Sequence, residues 1–393
     1  MRDNRSHADS EWKIAFVSPS PDRRNGIGVY SARLADELKR QDPSCAVITA
    51  ADLMPRPANV RAGGDWRGRE FPPRWAGPLL RALDETRPRI VHVQHGLYIG
   101  PGRELVRFLA GLRDRGIAGV VTLHGVWPPS PLRRWPSRLY RLLAGKADGV
   151  IVHQEAGARK LLLDHGVAAE RIAVIPHGTW DADEAARAGA PEATDSKVVL
   201  FAGNIFRRKG LHVVLRAFPE VVRRVPRARL LVVGKERANN LLDRLYLLWL
   251  HGRMRRGLRE GWLLRRQGYV PDAEFLDCIA GSAAAVFPYL RRYGSASGVF
   301  HHVLAAGRPA LCSAVPTFAE AEAAWGERLP GLIVAPGDAS GWSRSLVRVL
   351  NDDAFRERAA AASRELGRRS SWSEVARLHL RLYRGLLAET AAR

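Results

Sequence analysis

Two short segments in the second half of the chain carry residues that could bind a diphosphate. Arg207, Arg208 and Lys209 follow the apolar run VVLFA at a short distance and directly precede Gly210. Residues 294–298 (GSASG) supply two hydroxyls ahead of the helical pattern VFHHVLAAG. Cationic side chains and the N–H groups at a helix N-terminus both stabilise anionic oxygen atoms. This combination indicates a site that holds a diphosphate without a metal ion, in a reaction whose leaving group is an anion.

Each of these features also has a structural interpretation. Adjacent cations are commonly a solvated surface run, and Ser295 or Ser297 can serve simply as the N-cap of the following helix. The segment NGIG, which contains Gly26 and Gly28, lies between the first predicted strand and helix. Its glycines either form a plain tight turn or let a ligand approach the backbone beside a helix N-terminus.

Several histidines stand where apolar runs end. His124 ends AGVVTLH and can hydrogen-bond a sugar hydroxyl or assist proton transfer, or else cap the local backbone. His95 ends the preceding strand and is the second candidate, and His177 in IPHG is expected to line the cleft between the two predicted domains. His301 and His302 are adjacent on a predicted helix, so they point in different directions and cannot chelate one metal together. No metal-ligand spacing is present, which predicts a metal-independent reaction.

Short apolar runs alternate with helical patterns along the whole chain, and this alternation predicts the elements that position the candidate residues. Continuous apolar strands without two-residue hairpin turns favour parallel sheets covered on both faces. The polar segment 179–197 interrupts the alternation, which restarts at Val198. The prediction is an α/β protein with two Rossmann-like, doubly wound domains facing a cleft, over residues 1–185 and 196–370. The amphipathic tail, 371–393, is predicted to form a final C-terminal helix. In such sheets ligands bind at the carboxyl ends of the strands.

Size and composition place the chain among globular proteins. Its 393 residues suffice for two ordinary domains, and 46% of them are hydrophobic. Apolar runs of membrane-spanning length and an apolar signal core at the N-terminus are both missing from the sequence. The three cysteines are far apart and without a CxxC pair, which is typical of buried thiols in a reducing compartment. We therefore expect a cytoplasmic protein that is either free or peripheral on the inner face of the cell membrane.

Charge is the compositional outlier, at a formal +22. Such a field attracts anionic lipid, nucleic acid or phosphorylated substrates, and a solvated arginine surface is the plainer alternative. Residues 131–146 and 238–267 combine arginines with Trp and Leu at helical spacing, a pattern that suits an interfacial helix. Either segment is therefore a candidate for docking on an anionic membrane. Since neither has the aromatic platform of a nucleic-acid site, no nucleic acid is expected as a partner.

The order of these motifs resembles that of the retaining, nucleotide-sugar-dependent glycosyltransferases of family 4. The resemblance covers nearly the whole chain. It rests on NGIGVYSARLADEL, HVQHG, VTLHG, ADGVIVHQEAGARKLLLDHGV, RIAVIPHG, GNIFRRKG and GSASGVFHHVLAAGRP. It implies the two-domain GT-B fold, in which the C-terminal helix crosses back to the N-terminal domain. It also implies a nucleoside diphosphate sugar as donor substrate and no further cofactor.

The resemblance also implies roles for particular residues. Lys209 matches the family lysine that holds the diphosphate. Asn204 occupies a place often held by arginine, so Arg207 or Arg208 is expected to supply the second charge. The family histidine at the position of His124 contacts the donor sugar near the reacting carbon. The other donor-binding candidates are Gly26, Gly28, Gly294, Ser295, Ser297, Gly298 and His302.

The sequence departs from the family at two positions. Many relatives carry two glutamates eight positions apart around the helix that follows the GSASG turn, and Gly294 and His302 stand in their places. The first glutamate usually approaches the donor sugar and the second the nucleotide ribose. His302 can donate to a ribose hydroxyl or be a buried helix histidine. The identity of the donor, and catalysis itself, therefore remain open.

The function expected from the sequence is sugar transfer, with retention, from a nucleoside diphosphate sugar to a hydroxyl acceptor. The acceptor would be a lipid-linked or saccharide precursor in surface polysaccharide or glycolipid assembly. His124, Arg208 and Lys209 are the candidate catalytic residues. One alternative is a non-catalytic nucleotide-sugar-binding or scaffold protein of the same fold, and a weaker one is a nucleic-acid-binding protein.

Overall fold

The computed structural model divides the chain into two compact units. Unit 1 comprises Met1–Pro176 and Trp372–Arg393, and unit 2 comprises His177–Ser371. The residues that the structure describes are 12–19, 26–49, 74–96, 103–127, 135–180, 197–238, 240–268, 270–290 and 296–392. The sequence placed the first boundary at residue 185, whereas in this division His177 to Trp180 belong to unit 2.

Unit 1 is built on one parallel sheet of six strands in the order β2-β1-β3-β4-β5-β6. The strands are β1 (Trp12–Val17), β2 (Cys45–Thr49), β3 (Ile90–His95), β4 (Ala118–Leu123), β5 (Gly149–Val152) and β6 (Ile172–Val174). The helices are α1 (Gly26–Gln41), α2 (Ala76–Thr86), α3 (Arg103–Arg113), α4 (Trp135–Lys146), the short α5 (Lys160–Leu163) and the C-terminal α13 (Trp372–Ala392). Because β2 and β3 lie on opposite sides of β1, the strand order reverses once, between β1 and β3.

The sheet of unit 1 is covered on both faces. Every residue of β3, β4 and β5 is buried, which explains the apolar sequence of β5 and most of β4. Strand β3 also buries three polar side chains, those of His92, Gln94 and His95. One face packs on α2, α3 and α4, and the other on α1 and α13. The tail helix is therefore part of unit 1, where Tyr383 is fully buried and Arg384 donates to the carboxylate of Asp42 over 2.9 Å.

Unit 2 repeats this architecture with a second parallel sheet in the order β12-β11-β10-β7-β8-β9. Its strands are β7 (Val198–Ala202), β8 (Arg229–Gly234), β9 (Leu263–Gln267), β10 (Ala284–Phe287), β11 (Ala310–Ser313) and β12 (Ile333–Val334). Its helices are α6 (Leu211–Arg224), α7 (Leu241–Arg259), α8 (Asp272–Ala280), α9 (Gly298–Ala305), α10 (Ala319–Trp325), α11 (Ala339–Asn351) and α12 (Asp353–Arg368). Here the strand order reverses between β7 and β10, and ligands of doubly wound sheets bind at such a reversal.

The structure corrects the interpretation of the basic segment 238–267. The sequence pattern suggested one interfacial helix. The segment instead forms α7 and then β9, a strand at one edge of the sheet. The sequence LLRRQ does not resemble a buried strand, because only one face of β9 is covered by the rest of the unit. Leu263 is buried, whereas Leu264 is 45% exposed.

None of the described helices is long and apolar enough to cross a membrane. In the same part of the chain, His, Cys, Asp and Glu side chains form no group of three that could hold a metal ion.

Candidate functional site

In unit 2 the loop that follows β7 packs directly on the end of β10. Arg207–Lys209 form a single 3₁₀ turn, and Gly210 follows with φ +71°. A Cβ atom at Gly210 would lie 1.7 Å from the carbonyl oxygen of Pro288, so only glycine fits here. The backbone N–H of Leu290 donates to the carbonyl of Arg208 over 3.0 Å. The cationic turn is therefore held at the carboxyl ends of the two strands between which the strand order reverses.

A chain of three side chains crosses this edge of the sheet. The ammonium group of Lys209 hydrogen-bonds the hydroxyl of Tyr289 and lies 3.7 Å from the centre of its ring. The Tyr289 hydroxyl lies 2.8 Å from Oγ of Ser297. Ser297 occupies the N-cap position of α9, but its side chain does not cap the helix. Its hydroxyl contacts Tyr289, which in turn contacts Lys209. The alternative that Ser297 serves simply as the N-cap of the helix is therefore wrong.

The N-terminus of α9 lies at the same edge of the sheet. The first intrahelical acceptor is the carbonyl of Ser297, which receives the N–H of His301. The first-turn N–H groups of an α-helix have no intrahelical acceptor and carry the positive end of the helix dipole. A Cβ at Gly298 would lie 3.1 Å from Cε1 of His177, so the helix start is closely packed. Gly294 and Ser295 lie outside the described residues.

The other three polar residues of this loop point to solvent. Asn204, Arg207 and Arg208 are exposed, and Oδ1 of Asn204 accepts from Nε of Arg237 over 3.0 Å. The guanidinium of Arg208 lies 5.2 Å from the ring centre of Phe206. Among the described carboxylates, none forms an ion pair with Arg207, Arg208 or Lys209. These cations thus remain available to an anionic ligand.

His302 and His177 are both held against other aromatic rings. The His302 ring stacks on buried Trp180 with centres 3.9 Å apart, and its Nδ1 lies 2.9 Å from Oγ1 of Thr179. His177 stacks on His301 at 5.8 Å. Burial lowers the pKa of His177, so its ring is neutral at pH 7. The sequence missed Trp180, because it falls in a stretch that looked like a linker.

In unit 1, His124 belongs to a buried chain of hydrogen bonds. Its Nε2 lies 2.7 Å from Oε1 of Gln94, and its Nδ1 lies 3.2 Å from Nε2 of His153. Nδ1 of His153 lies 2.9 Å from the carbonyl of Ile175, which can only accept. In a neutral ring, His153 therefore carries its proton on Nδ1 and accepts through Nε2. Since Oε1 of Gln94 also accepts, a neutral His124 can donate to only one of its two neighbours, and the shorter contact favours Gln94. His124 is 9% exposed, and the ring of Tyr30 packs edge-on against it at 4.9 Å.

The remaining candidates of unit 1 lie at the same edge of the sheet. His95 is the buried last residue of β3, beside the end of β4. Gly26 is the exposed first residue of α1, and a Cβ there would meet no atom within 4 Å. Gly28 is buried in the first turn of α1. The structure thus gathers His95, His124 and the start of α1 at the carboxyl edge of unit 1.

Sequence reasoning missed Tyr289, Gln94 and His153, although each lies at or near the carboxyl end of a strand. Tyr289 follows β10 by two residues, Gln94 lies within β3, and His153 directly follows β5. The rule that selected His124 and Lys209, polar residues at strand ends, would have found two of them. Gln94 gives no such signal, because it lies within a strand.

Two family models match the chain in succession. Residues 24–179 match Glycosyltransferase Family 4, and residues 196–352 match Glycosyl transferases group 1. The chain belongs to the family 4 glycosyltransferases. Every candidate residue of this glycosyltransferase, from Gly26 to His302, falls within one of the two matched ranges.

Curated relatives share part of this sequence. A D-inositol 3-phosphate glycosyltransferase of Nocardioides sp. is 30% identical over 262 residues, which are 62% of this chain and 55% of that protein. A phosphatidyl-myo-inositol mannosyltransferase of Mycobacterium tuberculosis is 33% identical over 217 residues, 53% of each protein. The alignments thus span about half the length of these curated relatives.

Solved structures confirm the predicted fold. Anabaena HepE, crystallised with UDP and glucose, matches 95% of this chain and 100% of its own, with a TM-score of 0.68 at 15% identity. Sucrose-phosphate synthase of Thermosynechococcus elongatus covers 96% of this chain and 100% of its own, with a TM-score of 0.70 at 19% identity. At such identities the likeness concerns the fold alone, and that fold is GT-B.

Proposed function

We propose that this protein transfers a sugar, with retention, from a nucleoside diphosphate sugar to a hydroxyl acceptor. The observation that carries the proposal is the chain Lys209–Tyr289–Ser297 at the N-terminus of α9, beside Arg207 and Arg208. This arrangement combines a lysine, two exposed guanidinium groups and unsatisfied backbone N–H groups where a doubly wound sheet binds its ligand.

In the proposed reaction these groups stabilise the departing diphosphate. The bond from the anomeric carbon to a diphosphate oxygen breaks, and the acceptor oxygen bonds to the same carbon. The hydroxyl proton passes to the departing diphosphate oxygen. Lys209 and an arginine neutralise charge that grows during bond breaking, so they act more strongly on the transition state than on the bound donor. We therefore propose that transfer needs no metal, and a loss of activity in EDTA would contradict this.

His124 enters the proposal as the residue that contacts the donor sugar. The family assignment supports this role, and the hydrogen-bond chain through Gln94 and His153 supports a fixed ring orientation. Both ring nitrogens have partners within unit 1, so in the proposed contact a sugar hydroxyl would replace or share one of these partners.

The proposed acceptor is a lipid-linked or surface-saccharide precursor, and the proposed location is peripheral on the inner face of the cell membrane. The names of the curated relatives support the acceptor class, since the relatives act on inositol phosphate and phosphatidylinositol. The basic surface supports the location.

A non-catalytic nucleotide-sugar-binding protein is the second candidate function. It is favoured by Gly294 and His302, which stand where many relatives have glutamates. Nδ1 of His302 lies beside Thr179, and the ring is stacked on Trp180.

The two candidates are separated by measuring binding and turnover independently. Thermal unfolding is followed with UDP, GDP, ADP and their sugars, and nucleotide release is then assayed with the stabilising donor and saccharide or lipid-linked acceptors. Stabilisation with release supports the transferase. Stabilisation without release from any donor supports the non-catalytic protein. A chain that none of these ligands stabilises would refute both.

A further inference from the structure

Helix α7 of unit 2 exposes an unusually apolar side. The helix buries Leu247, Leu250, Met254 and Gly257 against the unit. The opposite side of its first half carries five large apolar residues, each between 44% and 71% exposed: Leu241, Leu242, Leu245, Leu248 and Trp249. At 100° per residue these side chains form one continuous stripe facing away from the core. Clustered exposed apolar residues of this size are rare on proteins without a partner.

The second half of the same stripe is cationic. Arg253, Arg255, Arg256 and Arg259 follow Trp249 on the exposed side, and the guanidinium of Arg253 lies 5.1 Å from the Trp249 ring centre. Arg256 pairs with Glu260 at 2.7 Å. The other three arginines form no ion pair with any carboxylate that the structure describes. We call these nine residues, 241 to 259, the outer face of α7.

Two side chains of α7 anchor the helix close to the loop of the same unit that carries Arg207 to Lys209. The hydroxyl of Tyr246 lies 3.0 Å from Nδ1 of His212, which is in the first turn of α6 just after Lys209 and Gly210. Nε2 of His251 lies 2.6 Å from the carboxylate of Glu236. Whatever covers the outer face therefore comes close to the loop that carries the cations.

We propose that the outer face of α7 docks unit 2 on a membrane that contains anionic lipids. The apolar half suits insertion at the level of the lipid headgroups, and the cationic half suits their phosphates. A second copy of this chain fits less well, because both copies carry a formal charge of +22. Docking would bring the protein close to a lipid-linked acceptor, and only that consequence rests on the proposed function.

The other basic segment predicted from the sequence does not share this exposure. In α4, Leu139, Tyr140 and Leu143 are buried in the core of unit 1. The described part of residues 131–146 thus uses its apolar side for packing, as expected for a helix covering a sheet. The burial of these side chains therefore favours 238–267 over 131–146 as the membrane-docking segment.

The test is co-sedimentation of the full chain with vesicles of phosphatidylcholine, with and without phosphatidylglycerol, at low salt. We expect binding to the anionic vesicles that weakens as salt rises. The double variant Leu245→Ser/Leu248→Ser is expected to lower the partition coefficient about tenfold or more. Leu163→Ser, at a residue that is 40% exposed in unit 1, is the matched control and should bind as the parent does.

The cationic half is tested by charge-matched variants. Replacing Arg253, Arg255 and Arg259 with glutamine should lower the partition coefficient roughly a hundredfold at low salt. The control replaces three exposed arginines elsewhere in unit 2, Arg328, Arg358 and Arg368. Circular dichroism and thermal unfolding establish that each variant is folded.

Three outcomes would overturn the proposal. They are the absence of binding to anionic vesicles, an equal loss in the charge-matched control, and self-association in vesicle-free solution that Leu245→Ser/Leu248→Ser abolishes. Vesicle binding needs neither donor nor transfer. A chain that binds vesicles but no nucleotide would therefore sink the proposed function and leave the docking surface standing.

Discussion

Replacing Lys209 with methionine removes one charge from the loop that follows β7 and keeps most of the side-chain volume. The lysine is partly exposed and contacts Tyr289 through its ammonium group. The Tyr289 hydroxyl keeps Ser297 as a partner at 2.8 Å, so the substitution does not orphan a buried polar group. The folded state therefore loses one hydrogen bond and one cation–π contact. We expect the free energy of unfolding to fall by only about 1 kcal/mol.

The effect on transfer is expected to be much larger. A cation aimed at the departing diphosphate acts on charge that develops in the transition state. Removing one such group typically lowers kcat by about 10² to 10³, which is roughly 3 to 4 kcal/mol. Binding of the free nucleoside diphosphate should weaken as well, since the charge of the lysine also attracts the bound diphosphate.

The assay compares nucleotide release by the parent, Lys209→Met and Lys197→Met. Lys197 precedes β7 and donates to the carbonyl of Leu350 over 2.6 Å, so it tests the loss of a lysine at the opposite end of the same strand. We expect Lys197→Met to retain activity. If Lys209→Met is folded and transfers within about threefold of the parent, the assignment of Lys209 to the diphosphate is refuted.

Three further predictions follow from individual residues. Gly210→Ala should lower the free energy of unfolding by at least about 2 kcal/mol in urea titrations, because φ is +71° and the added Cβ would overlap the Pro288 carbonyl; unchanged stability would contradict this packing. Gly26→Ala should unfold as the parent does, since its Cβ meets nothing within 4 Å, yet bind the stabilising donor more weakly by calorimetry; equal affinity would exclude ligand approach at Gly26. Burial lowers the pKa of His379 to about 4, below the unfolded value near 6.5, so the unfolded chain binds the extra proton and stability falls as pH drops through this window. Between pH 7 and pH 5 this histidine should lower the free energy of unfolding by about 2 kcal/mol. In urea titrations His379→Leu should therefore lose less stability over this range than the parent. An unaltered pH dependence in the variant would contradict this prediction.

Much of the fold could be predicted because parallel strands buried on both faces have continuous apolar sequences. This signal is strong in β4, β5 and β7, and the helices between the strands show the 3.6-residue period. It fails for β9, where one side is solvent and the sequence LLRRQ resembles the end of a basic helix. It also fails to give strand order, because periodicity describes each element by itself.

In the candidate site, too, the sequence predicted some features and not others. Lys209 and Ser297 could be selected because they stand in loops after strands, but nothing in their spacing pairs Lys209 with Tyr289. That pairing arises because β7 and β10 are neighbours where the strand order reverses. His124 was selected in the same way, whereas its contact with His153 follows from the adjacency of β4 and β5. From the sequence, segments 131–146 and 238–267 were equal candidates for membrane docking. Only the burial of their apolar side chains in the structure separates them.

The sequence by itself determined most of the element types, the family and several of the residues with suitable chemistry, because these depend on local pattern and on the order of motifs. The tertiary structure decided which of those residues meet, which hydrophobic faces are covered and which remain exposed. The physical reason is that contact and burial depend on strand adjacency and packing between segments far apart in the chain. Lys209, Tyr289 and Ser297 span 88 residues of sequence, yet their polar groups form one continuous chain.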